Sequence, residues 1–230
     1  MQSLHSCSIP PLFPQEDPVT PRLGAALADS LAAVRVALEL LSVAGEDPAG
    51  EVARLGRHAS RTAGIHREQL AALARARSLP LPPAASEACT VVRRSLARVA
   101  RSDEDASVTV ACPGEGALPV AVAVPVLEEL WRSWWRGMRS LVTRPRRIVI
   151  ERAAGEPLVD LRVASDGLEV PPRVLEVACG RQPLSPLRAL PLPVEAWFLP
   201  VAAVLARRVG GEVLPGREGP VLRLPAWPRN

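Results

Sequence analysis

The sequence predicts an α+β protein, an N-terminal helical hairpin followed by an α/β sandwich. Three observations lead to this. Two long stretches carry apolar residues at three- and four-residue steps and are separated by a short loop rich in Gly, Asp and Pro. The run Leu79-Pro80-Leu81-Pro82-Pro83 then breaks the helical pattern and reads as a linker. Beyond it, short alternating runs are interleaved with helical segments, the pattern of a helical layer on one sheet.

Taken in order, residues 1–20 hold several prolines and no periodicity and read as a flexible tail. From Arg22 to about Ser42, Leu23, Leu27, Leu31, Val34, Leu38 and Leu41 form one seam on a helix. The alanines between them leave a second, nearly apolar face, so this helix calls for burial on most sides, as in a dimeric bundle. The segment Val43–Gly50 is a loop. A second, arginine-rich helix over about Glu51–Arg77 has Val52, Leu55, Ala59, Thr62, His66, Leu70 and Leu73 on its inner side. Together residues 21–79 read as a dimerising hairpin.

Residues 86–228 read as the sandwich. Ser86–Ala100 is predicted as a helix, Ser107–Ala111 and Val120–Val124 as strands, and Pro125–Arg139 as a helix with three tryptophans. RIVIER at 147–152 and LVDLRVA at 158–164 pair around the turn at Ala154-Gly155-Glu156. Ala196–Val209 is a helix stopped by Gly210-Gly211. Glu212–Leu214 and Val221–Leu224 close the domain as a hairpin around Pro215-Gly216.

Composition narrows the chemistry. Apolar residues make up 48% of the 230 and charged residues 23%, which suits a globular chain with a sizeable core. All 28 basic residues are arginine, so Schiff-base chemistry and a P-loop lysine are closed. The net charge of +4 is modest and the arginines are scattered among acids, which argues against nucleic-acid binding. No run is long and apolar enough for a membrane span, and the N-terminus lacks the pattern of a signal peptide, so the expected location is the cytoplasm. Cys7, Cys89, Cys112 and Cys179 form no CxxC pair, and with His5, His58 and His66 seed no metal site; the cysteines are expected to be reduced, buried and inert.

The order of elements resembles the catalytic core of a sensor histidine kinase: a dimerisation and histidine-phosphotransfer hairpin, then an ATPase domain of the Bergerat type. The resemblance covers about residues 22–228. Ser30–Arg35 followed by Leu38-Glu39-Leu40-Leu41 is similar to the family's stretch after its phospho-accepting histidine, which places that histidine at Ala25 and its acidic neighbour at Ala26. The asparagine-rich helix matches Leu127–Met138, with Ser133 and Gly137 at asparagine positions, Gly137 being the one that holds magnesium. The adenine-binding Asp-x-Gly-x-Gly box matches Ser165–Pro171, with Ser165 for the aspartate and Glu169 for the second glycine; Asp166 lies one residue out of register. The glycine-rich lid falls near Ala196–Leu199, where Trp197 and Phe198 stand.

An alanine methyl can neither attack a phosphoryl group nor accept a proton, and a glycine offers a metal no side-chain oxygen. The resemblance, so altered, implies a protein similar to the dimeric, kinase-derived histidine phosphotransferases but without their phospho-acceptor. The expectation is therefore a homodimeric regulator, not an enzyme, with no cofactor and no metal, acting on a protein partner such as a response regulator, a kinase or a transcription regulator. Its docking surface is expected around Ala25, Ala28 and Asp29. The alternative is phosphoryl relay through His66 or His58, with His66 favoured because it falls on the inner seam.

Overall fold

The computed structural model describes residues 19–43, 49–82, 84–99, 108–112, 118–153, 156–168, 171–179 and 193–228. Helices α1 (Val19–Val43) and α2 (Ala49–Ser78) pack along each other as the hairpin. Helix α1 begins two residues inside the stretch read as tail, and the loop read at 43–50 lies mostly outside the described residues. The sandwich follows, with β1 (Ser86–Glu87), α3 (Ala88–Val99), β2 (Thr109–Ala111), β3 (Pro119–Val120), α4 (Val124–Arg139), β4 (Val142–Thr143), β5 (Arg147–Arg152), β6 (Leu158–Ala164) and β7 (Gly167–Leu168). After these come α5 (Pro172–Ala178), a 3-10 turn over Val194–Trp197, α6 (Phe198–Arg208), β8 (Glu212–Pro215) and β9 (Pro220–Pro225).

Five strands form the main sheet in the order β2-β5-β6-β9-β8, with β2 parallel to β5 and the other pairs antiparallel. Alternation sends Ile148, Ile150, Val159, Leu161, Val163, Val213, Leu222 and Leu224 to one face, where they join α3, α4 and α6 in a single core. Trp131, Trp134 and Trp135 lie at its centre, the rings of Trp134 and Trp135 centred 5.3 and 5.4 Å from that of Trp131, and none of the three indole N–H groups has a hydrogen-bond partner among the described residues. The opposite face carries a charge network. Arg223 reaches Asp160 at 2.8 Å and Arg162 reaches it at 3.1 Å. Burial pushes the Asp160 carboxyl up, but the bonds from both guanidiniums outweigh this and hold it below its ordinary value.

Several expectations are corrected locally. The run Val120–Val124 contributes only Val120 to a strand, because Pro125 sits in the first turn of α4 and draws Val124 into the helix. Ser86 and Glu87, read as the start of the helix, form a short strand, and the helix begins at Ala88. The Glu87 carboxylate accepts from the backbone N–H groups of Cys89 and Thr90, satisfying the start of α3. The last helix begins as a 3-10 turn, whereas its end at Gly210, with φ of 78°, is where the glycine pair places it. Cys89 and Cys112 are not reduced thiols: they form a disulfide linking the first turn of α3 to the residue after β2. Cys179 is buried and outside any disulfide, and Cys7 lies outside the described residues.

Candidate functional site

Of the positions that the kinase resemblance marks, Ser133, Gly137, Trp197 and Phe198 lie where α4, α6 and the hairpin meet. Helix α4 presents Ser133 and Gly137 one turn apart on a buried face. Gly137 has a packing role: a Cβ there would lie 2.7 Å from both the backbone nitrogen and the Cγ of Leu199, so the start of α6 occupies the space a side chain would need. Ser133 is buried beside a cavity of about 170 Å³ between α2 and α4, lined also by Glu68, Arg75, Glu129, Arg132 and Phe198. Glu129, itself buried, takes Arg75 of the hairpin at 3.0 Å and Arg132 at 2.9 Å.

The lid positions are part of the same packing. Phe198 is buried, Trp197 packs partly buried beside it, and the Arg136 guanidinium lies 4.1 Å above the Phe198 ring while pairing with Glu68 at 2.7 Å. Two bulky rings here leave backbone N–H groups without the open approach that phosphates use at glycine-rich loops.

The second box lies at the β6–β7 turn. The Ser165 hydroxyl donates towards the carbonyls of Glu218 at 2.8 Å and Gly167 at 3.2 Å. The out-of-register Asp166 is paired with Arg146 at 2.7 Å. Glu169 lies outside the described residues. A larger open groove of about 430 Å³ runs under the β8–β9 turn, with Asp160, Arg162, Arg217 and Arg223 on its walls.

On the hairpin, Ala25, Ala28 and Asp29 are all exposed and, at i, i+3 and i+4, share one face of α1. The two histidines separate. His66 is only 5% exposed; its Nδ1 donates to Gln69 Oε1 at 2.9 Å, and Gln69 Nε2 donates to the Val194 carbonyl at 2.6 Å. Its place on the inner seam is thus as read, but that place closes the imidazole off, whereas His58 stands exposed on α2. Among the described residues no group of three or more His, Cys, Asp or Glu side chains is placed to hold a metal ion, and no described helix is long and apolar enough to cross a membrane.

No family model and no curated relative matches the sequence. Solved structures do match. The Acinetobacter baumannii histidine kinase AdeS superposes with a TM-score of 0.57 at 10% identity, over 89% of this chain and 98% of that one. The histidine kinase ThkA, solved in complex with the response regulator protein TrrA, superposes with a TM-score of 0.58 at 13% identity, over 90% of this chain and 61% of that one. The fold is therefore histidine-kinase-like, a helical N-terminal part followed by a mixed α/β domain of the ATPase type. These neighbours also correct the expectation that the chain is not an enzyme, since the structures it resembles are histidine kinases, which are enzymes.

Proposed function

We propose that this chain works in two-component signalling through protein–protein contact, as a homodimeric regulator that docks a response regulator on α1 around Ala25, Ala28 and Asp29. One observation carries the reading: these residues form an open face on the helical hairpin of a fold whose neighbour ThkA is solved with a response regulator. Dimerisation is supported by large apolar side chains left open on the hairpin, Leu31 at 54%, Val36 at 53% and Leu55 at 51% exposure, which two hairpins joined as a four-helix bundle would cover. Docking needs no bound nucleotide in this reading, because Leu199 fills the space beside Gly137 and Trp197 and Phe198 fill that of the lid.

Titration of purified receiver domains into the protein by calorimetry tests this. Asp29→Arg is expected to weaken the receiver that binds by tenfold or more, with an unchanged Kd when millimolar ATP and magnesium are added. Binding of no receiver, or binding indifferent to Asp29→Arg, overturns the docking surface. A rise in thermal stability with ATP and magnesium, about 2.7 kcal/mol for a ligand at a hundred times its Kd, overturns the nucleotide-free part.

A second reading, phosphoryl relay, is favoured at His58 by its exposure, against the buried His66. A label from a phosphorylated receiver that survives base, is lost in acid and disappears in His58→Ala supports it.

A further inference from the structure

We propose that the segment Val194–Val201 is an intramolecular clasp that fastens the hairpin to the sandwich and makes the two fold and move as one unit. Three kinds of contact meet there. The first is apolar: Phe198 and Val201 enter a cluster with Ile65 and Leu73 of α2 and with Val19 and Leu23 of α1. The second is a buried polar relay, in which His66 orients Gln69 and the Gln69 amide donates to the Val194 carbonyl at the start of the 3-10 turn, so that a backbone acceptor of the sandwich is bonded to the hairpin. The third is ionic and joins three helices: Arg136 of α4 covers Phe198 of α6 and pairs with Glu68 of α2.

The apolar cluster, the Gln69–Val194 bond and the Arg136–Glu68 pair span the linker at 79–85 and would be lost if the hairpin swung away, whereas Arg136 would stay over Phe198. The Phe198 ring would then lose its apolar neighbours on the hairpin and the Gln69 amide its carbonyl acceptor, which favours an all-or-none opening over a gradual one. The clasp also reaches the N-terminal turns of α1. Leu23 lies beneath it two residues before Ala25, so that helix end is held in place by the sandwich. This inference concerns the single chain and stands whether or not a response regulator docks.

The test uses the full chain, followed by differential scanning calorimetry and small-angle X-ray scattering. The wild type is expected to unfold in one transition whose calorimetric and van't Hoff enthalpies agree. The double variant Gln69→Ala, Arg136→Ala, which leaves the tryptophan core intact, is expected to split that transition into two and to raise the radius of gyration. Phe198→Ala is expected to do the same, and the near-ultraviolet circular dichroism of the tryptophans reports whether the sandwich has stayed folded in either variant. Two separate transitions in the wild type overturn the clasp. So does a double variant with an unsplit transition and an unchanged radius.

Discussion

The hairpin and the sandwich bury their apolar side chains to very different extents. In the sandwich, Leu127, Leu130, Trp131, Trp134, Ile148 and Leu161 are entirely out of solvent. In the hairpin, apart from the cluster under Phe198, the helices cover each other on one side only and leave Leu31, Val36 and Leu55 open. Burying a side chain of that size is worth about 1.5–3 kcal/mol. The sandwich has already gained that energy within one chain, whereas on the outer hairpin it is still ungained, and the proposed homodimer would draw on it. The same contrast separates their glycines: Gly137 touches the backbone of α6, and a Cβ at Gly24 of α1 would meet nothing within 4 Å.

The largest blow to this contrast falls on the sandwich core. Trp135→Ala is expected to cost about 3–5 kcal/mol in urea unfolding, because no neighbour in so dense a core can collapse into the space of an indole. Reduction of the Cys89–Cys112 disulfide, which closes a loop of sequence separation 23, is expected to cost about 3 kcal/mol in the same assay, with the Cys89→Ala, Cys112→Ala variant insensitive to dithiothreitol. The glycine pair sharpens the comparison directly. Gly137→Ala is expected to destabilise by about 1–3 kcal/mol through its clash with Leu199, and Gly24→Ala to stabilise by roughly 1 kcal/mol as a plain gain in helix propensity. A stable Gly137→Ala variant would mean that α6 can yield beside Gly137. The smallest effect on folding belongs to Leu31→Ser, within about 0.5 kcal/mol; if the proposed homodimer forms, sedimentation equilibrium is expected to show a dimeric wild type and a monomeric variant.

Most of the fold was legible because its elements differ in period. RIVIER and LVDLRVA alternate and pair as β5 and β6, while the tryptophans at i, i+3 and i+4 mark one face of α4. The short pairings β1 with β3 and β4 with β7 span two residues a strand and carry no period to detect. Helix α5 was missed because Pro171-Pro172 reads as a break, although proline is at home in a first helical turn. The sequence puts Ser133 and Gly137 on one helix and Trp197 and Phe198 at the start of another, but it does not show the reasons for their identities. Gly137 answers to Leu199, and Phe198 to Arg136 and to Glu68 beyond it, partners that only the tertiary fold selects. The Cys89–Cys112 bond was invisible for the same reason, having no local spacing to announce it.

The tryptophan cluster gives the molecule an optical identity of its own. The chain has no tyrosine, so its near-ultraviolet absorption comes almost wholly from five indoles, two of them packed against a third, Trp131. Indoles that close couple their excited states, and rings in an apolar surrounding without hydrogen bonds emit toward the blue. The native protein should therefore show a split, intense tryptophan dichroism and a blue-weighted emission, and both vanish together when the core loosens. Trp197 on the clasp and Trp227 after β9 are both only partly covered and emit further to the red. With Trp227 replaced by phenylalanine, a single unlabelled sample reports the state of the core and of the clasp at once.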